Sequence, residues 1–137
     1  MHKNIFLDAN ILIYSQDPNS LFFKQSVAIL KKSVEEGNEM FVSPYILSEV
    51  HFFFTKQAGN NSARKIVNGI LKYPSLIFVD IAFTLKDIRS VFRLSAKYSL
   101  KTFDAFHAYY CKKLKIKTIA TFDKDFRKLP WLKVVEK

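Results

Sequence analysis

The sequence predicts an α/β domain built on five short parallel strands. Two observations carry that expectation. Apolar runs of three or four residues alternate with longer segments whose apolar residues recur at helical spacing, the order produced when parallel strands are joined by crossover helices. Three of those runs lead into an aspartate, in FLD, FVD and TFD, and ligands collect outside the carboxyl ends of the strands in an open parallel sheet.

Asn4 to Leu7 reads as the first strand. Leu21 to Glu36 follows as a helix, with Phe22, Val27, Ile29, Leu30 and Val34 as its apolar positions and Gly37 as its stop. Met40 to Val42 is the second strand. Ser43 and Pro44 then start a helix as N-cap and first helical residue, running to about Gln57. The stretch AGNNS, residues 58 to 62, predicts a turn before a helix from about Ala63 to Lys72 and a third strand, Leu76 to Val79. Thr84 caps a helix to about Tyr98, with Asp87 three residues on facing the first-turn amides. Thr102 is expected to cap the next helix, through about Leu114. Thr118 to Thr121 is the fourth strand, Asp125 to Leu129 a short helical turn and Leu132 to Val135 the fifth strand. No repeat, low-complexity tract or long linker divides residues 1–137, so one domain is expected.

Composition narrows the function. Hydrophobic residues make up 49% of 137 residues, with 14 Phe, which predicts a packed core and excludes disorder. Lys and Arg number 22 against 12 acids, a net charge of +10 that favours a polyanionic partner such as nucleic acid. The single Cys111 excludes an internal disulfide framework and a multi-cysteine zinc site, as expected for a reducing cytoplasm. No secretory signal is expected, because the first apolar run breaks at Asp8, and no stretch approaches the roughly 18 apolar residues of a membrane span.

A chain short of acids places several where they are hardest to keep. Asp8, Asp80 and Asp123 each follow closely on a predicted strand. With Ile46, Leu47, Val50, Phe53 and Phe54 as the buried stripe of the Pro44 helix, Glu49 lies about 100° from the stripe's centre, on its border. Asp104 sits similarly beside Phe103, Phe106, Tyr110 and Leu114, in a first helical turn. Carboxylates at core margins are costly unless paired, hydrogen-bonded or neutralised. Asp8, Glu49, Asp104 and Asp123 therefore form a candidate site for a hard cation, Mg²⁺ or Mn²⁺. Each has a plainer reading as well: Asp8 and Asn10 as a turn into a helix at Ile11, Asp104 as a favourable first-turn acid, Glu49 as a helix-surface residue.

The remaining features are weaker. His107, one turn from Asp104, reads as a core-margin histidine in preference to a metal or phosphate contact, and His51 and His2 have no ligand-like spacing around them. Cys111 reads as packing. Phe52 points away from the buried stripe, which suggests a protein interface. Lys56, Arg64, Lys65, Lys101, Lys124, Arg127 and Lys128 are the cations expected to offset the acids and attract phosphates.

Four blocks, FLDANILIY, SPYILSEVHF, TFDAFHAYY and ATFDKDF, in this order resemble the acidic blocks of the PIN-domain family, and most of all its stand-alone VapC-type ribonuclease toxins. The resemblance runs from Asn4 to about Trp131. It implies a three-layer α/β/α domain with strand order 3-2-1-4-5, Mg²⁺- or Mn²⁺-dependent hydrolysis of RNA, a homodimer and a cognate antitoxin reaching into the cleft. Asp8 and Asp104 become the central metal ligands, Glu49 the third acid and Asp123 the fourth, with Asn10 and Thr121 orienting the carboxylates. Asp125 is the other candidate for the fourth position, set aside because it is expected to cap the helical turn that follows. Lys101, Lys124, Arg127 and Lys128 become RNA contacts, and Asp80, on an edge strand, becomes structural. Alternatives on the same fold are a nuclease of RNA processing or DNA metabolism and a non-catalytic binding module; retention of all four acids speaks against the latter.

Overall fold

The computed structural model describes residues 3–136, so His2 lies outside the described residues. The chain runs β1 (Asn4–Leu7), α1 (Ala9–Ser15), α2 (Phe23–Glu35), β2 (Glu39–Val42), α3 (Pro44–Ala58), α4 (Asn60–Ile70), β3 (Leu76–Phe78), α5 (Leu85–Tyr98), α6 (Thr102–Leu114), β4 (Thr118–Ala120), a 3₁₀ turn (Lys124–Lys128) and β5 (Lys133–Val135). All strand pairs are parallel, in the order β3-β2-β1-β4-β5, as expected. Successive strand residues point to opposite faces, and Phe6 and Leu7 are both fully buried. Helices therefore cover the central strand on both sides, the condition under which parallel sheets persist. Among the described residues no helix is long and apolar enough to cross a membrane.

Four local expectations are corrected. AGNNS is not a loop, because Gly59 alone joins α3 to α4. Its amide closes α3 on the Thr55 carbonyl while its own carbonyl accepts from Ala63 to open α4, so Asn60, Asn61 and Ser62 become the first helical turn. Its φ of 88° is a conformation that a side chain would strain. Thr102 does not cap α6: extended Lys101 holds that position, and the helix has no side-chain cap. The short helix α1 begins at Ala9, directly after Asp8, earlier than the turn expected to lead into Ile11. Phe53, expected in the buried stripe of α3, is 36% exposed at its margin; Phe52 is exposed, as expected.

The capping box read at Thr84 is present and does more than cap. Asp87 Oδ2 accepts from the Thr84 amide and hydroxyl, and its Oδ1 accepts from Tyr109 Oη at 2.5 Å and Lys113 Nζ at 2.9 Å, tying α5 to α6. Lys113 first, then Tyr109 and the Thr84 amide, hold this carboxyl well below its ordinary value of 3.8. A depressed folded-state value contributes stability that is present above 3.8 and is lost as pH falls through the folded value. Asp87→Ala is expected to lower the melting temperature by several degrees at neutral pH, with the gap to wild type closing in strong acid. Melts recorded from pH 7 to pH 2 check this; a gap independent of pH would assign the loss to packing alone.

Candidate active site

The acids gather at the carboxyl end of the sheet. The β1–β4 ladder runs one bond past the strands, from the Asp8 amide to the Ala120 carbonyl at 3.0 Å, which brings Asp8 and Thr121 side by side. Asp8 Oδ1 accepts from the Ala9 amide at 2.8 Å, capping α1, and Oδ2 accepts from the Thr121 hydroxyl at 2.7 Å and from Asn10 Nδ2 at 3.3 Å. Asn10 Nδ2 also donates to Thr121 Oγ1 at 3.2 Å, closing a ring between the two central strands. Thr121 Oγ1 in turn accepts from the Asp123 amide at 3.0 Å and sets the chain's path beyond β4. The turn reading of Asp8 and its site reading thus hold together: one oxygen serves the helix, while the buried carboxylate faces its neighbours.

Two groups of potential ligands result. Asp8, Glu49 and His107 each offer an atom within 4.8 Å of the others, and so do Asp104, Asp123 and Asp125. The two groups adjoin, because Asp104 of one and His107 of the other are one turn apart on α6. All four acids chosen from the sequence are therefore brought together, whereas Asp80 lies exposed beyond edge strand β3 and joins neither group. The reason for setting Asp125 aside does not hold. Asp123 caps the 3₁₀ turn, accepting from the Asp125 amide at 2.9 Å, and Asp125 sits within it, 3.7 Å from Lys128 Nζ.

His107 is the residue that the sequence reading undervalued. It is fully buried in α6 with Nε2 2.7 Å from Glu49 Oε1, and its ring lies against Phe6. An ionised carboxylate only accepts, so Nε2 carries the proton and donates. Its position, one turn after Asp104 on the same face, was the available signal; the partner on α3 was not visible without the fold.

Electrostatics mark the same place. Burial raises the Asp8 carboxyl above its ordinary value, against the opposing influence of His107, Thr121 and the Ala9 amide. Burial also raises Asp104 to about 7, reinforced by the charges of Asp8 and Asp123. Asp104 Oδ2 is buried with no hydrogen-bond partner. Two facing carboxylates have no hydrogen between them, so a proton or a cation is what satisfies both. The donor set fits a hard divalent ion, since it is almost entirely carboxylate oxygen and His107 Nε2 is committed to Glu49. Burial pushes the Cys111 thiol far above its ordinary value, which leaves no nucleophile there.

Residues 5–132 match the PIN domain. The chain belongs to the PIN-domain family. Across an alignment of 152 residues this PIN domain is 32% identical to Ribonuclease VapC2 of Methanocaldococcus jannaschii, covering 99% of this chain and 96% of that protein. Among solved structures it resembles Mycobacterium tuberculosis VapC20, a sarcin-ricin loop cleaving toxin, with a TM-score of 0.77 at 14% identity, over 97% of this chain and 99% of that one. It also resembles VapBC2 from Rickettsia felis, solved bound to a DNA fragment from its promoter, with a TM-score of 0.70 at 18% identity, over 96% of this chain and 97% of that one. At such identities these structures speak for the PIN fold, and the curated relative carries the likeness to VapC.

Of the four cations expected near the PIN acids, two are engaged inside the molecule. Arg127 pairs with Glu136, and Lys128 pairs with Asp125 and donates to the Ser99 carbonyl. Lys101 and Lys124 are exposed beside the acid-bearing turns.

Proposed function

We propose that this protein is a divalent-metal-dependent endoribonuclease, the toxin of a toxin–antitoxin pair, acting as a single domain in the cytoplasm and as a homodimer. The observation that carries the reading is the unpartnered, buried Oδ2 of Asp104, a residue grouped with Asp123 and Asp125 at the end of the sheet that also holds Asp8. A fold that needed these acids only for structure would supply donors to that oxygen. Likeness to a curated ribonuclease across both chain lengths supports RNA as the substrate, and likeness to a VapBC structure supports a cognate antitoxin.

Asp8, Asp104, Asp123 and Asp125 would hold Mg²⁺ or Mn²⁺. When bound, such an ion supplies positive charge against the phosphate and a more acidic water. Thr121 and Asn10 keep the Asp8 carboxylate turned into the site. His107 engages one oxygen of Glu49, and the other is left to take a proton from the attacking water. The water oxygen bonds to phosphorus, the P–O3′ bond breaks and the departing O3′ is protonated, giving a 5′-phosphate and a 3′-hydroxyl.

The test is cleavage of total RNA by purified protein with Mn²⁺, with end mapping of the products, alongside Asp8→Asn. The side-chain oxygen that the variant retains can still cap α1, so it is expected to fold while losing about 10²-fold or more of the cleavage rate. Equal cleavage by wild type and variant, or 3′-phosphate ends, sinks the reading. Growth arrest on expression, relieved by a co-expressed antitoxin, separates a toxin from a nuclease of RNA processing or DNA metabolism.

A further inference from the structure

The run CKKLKIKT, residues 111–118, puts four lysines into six positions, and nothing in the active site uses them. It forms the last turn of α6 and the entry to β4, at the end of the sheet opposite the acids. Lys112, the first lysine of the run, lies eight residues after Asp104 along α6, about 12 Å at the rise of a helix.

The structure distributes these lysines between two cavities. One, of about 410 Å³, is lined by Lys3, Lys115, Lys117 and Lys133 together with Asn4 and Thr118. Parallel pairing makes that cluster: Thr118 lies opposite Ile5 and Lys133, and the Lys133 amide bonds the Lys117 carbonyl. The other, of about 460 Å³, lies along the α5–α6 pair, where Arg93, Lys97 and Lys112 meet Tyr98 and Tyr109. Lys112, on the last turn of α6, and Lys115, its left-handed C-cap, place one cation in each cavity three residues apart. At the upper end, Lys128 bonds the Ser99 carbonyl just beyond Tyr98, beside the acid-bearing 3₁₀ turn. A basic track therefore leads from the active site down α5–α6 to the far edge of the sheet.

No acid lines either cavity among the described residues. Of the acids near the far edge, Glu36 pairs with Lys32, Glu136 pairs with Arg127, and Glu39 lies across β1 on β2. The favourable interaction of cations with a helix C-terminus accounts for Lys112 and Lys113. It does not account for Lys3, Lys117 and Lys133, which belong to strand ends and repel one another.

We propose that this track is a second RNA-contact surface, holding the phosphate backbone of a structured RNA whose cleaved bond lies at the acids. Spaced cations beside aromatic rings suit a nucleic-acid backbone, whereas a protein partner needs an apolar centre. The large exposed apolar side chains are elsewhere, with Phe52 on α3 and Leu85 and Phe92 on α5 outside these cavities. The proposal rests on RNA being the substrate, and its test is made separable from that reading by measuring binding without cleavage.

In the Asp8→Asn background, Lys115→Asn/Lys117→Ala/Lys133→Ala is compared with Lys24→Ala/Lys31→Ala/Lys72→Ala, which removes the same charge from exposed positions off the track. Asparagine is chosen at Lys115 because φ there is 58°, which asparagine tolerates. Binding of a labelled RNA stem–loop and of a short single-stranded oligonucleotide is followed from low to physiological salt. The track variant is expected to bind the stem–loop about 10-fold or more weakly, with a log–log salt slope shallower by about 2–3. The short oligonucleotide is expected to lose little, and the control variant little on either RNA. Lys→Arg at the same three positions is expected to restore stem–loop binding. Equal losses in the two triple variants, absence of salt-dependent stem–loop binding in the parent, or loss of polyglutamate binding alone overturns the proposal. Melting temperature and circular dichroism of each variant verify the fold.

Discussion

Asp104→Asn is expected to abolish metal-dependent cleavage and to raise the melting temperature of the metal-free protein at neutral pH. Both effects come from one cause. Burial first, then the charges of Asp8 and Asp123, lift the Asp104 carboxyl from 3.8 to about 7. A raised value means that the folded state holds a proton the unfolded state has released. The metal-free protein therefore loses stability as pH rises from about 4 to about 7. At about 1.4 kcal/mol per pH unit the difference sets an upper bound, which solvent access to this half-buried carboxyl reduces to about 1–2 kcal/mol. Asparagine removes the charge at nearly constant shape and so removes that loss, a gain of a few degrees in melting temperature. Cleavage is expected to fall by about 10²–10⁴-fold, because the oxygen in greatest need of a cation has lost its charge. Mn²⁺ is expected to raise the melting temperature of wild type and to leave the variant nearly unmoved. Melts at pH 5 and pH 7, with and without Mn²⁺, decide it. A variant that melts below wild type at pH 7 without metal contradicts the argument, whatever its activity.

His107 separates positioning from packing. Its imidazole is fully buried, with Nε2 on Glu49 Oε1 and Nδ1 without a partner. His107→Leu fills comparable space and removes the unpartnered Nδ1, so the fold is expected to lose little stability. Glu49 is partly exposed and can turn to water once its donor is gone. The cleavage rate is then expected to fall by about 10–100-fold, the usual consequence of losing the group that orients a carboxylate near a metal. His107→Gln keeps an amide donor near the place of Nε2 and is expected to recover much of that rate. Cleavage of RNA at saturating Mn²⁺ by the three proteins provides the readout. A wild-type rate in His107→Leu makes the histidine a packing residue and nothing more.

The strands, their order and most helices were legible because their signals are local or follow from the family blocks. Strand-length apolar runs, Ser43–Pro44 and Thr84 with Asp87 are patterns a few residues long that decide backbone conformation where they stand. AGNNS misled because its composition is that of a loop, while packing of α4 against α3 converts three of its polar residues into a helical turn. Thr102 misled for a related reason: the path from Ser99, with φ of 52°, puts Lys101 at the cap position, one residue early.

The acids themselves were readable as a set, since an aspartate after a buried strand and an acid on the border of an apolar stripe are expensive wherever they occur. Their division into two groups was not. Which oxygen caps a helix, which accepts from Thr121 and which is left without a donor depends on atoms more than 100 residues apart in the chain. The same holds for His107, whose Glu49 partner is 58 residues away, and for the lysine track, assembled where α6 and the starts of three strands converge. Element types and the inventory of charges are settled locally, because propensity, capping and burial cost act over a few residues. Which charges are satisfied and which are left over is settled by the fold, because it depends on distances across the sheet.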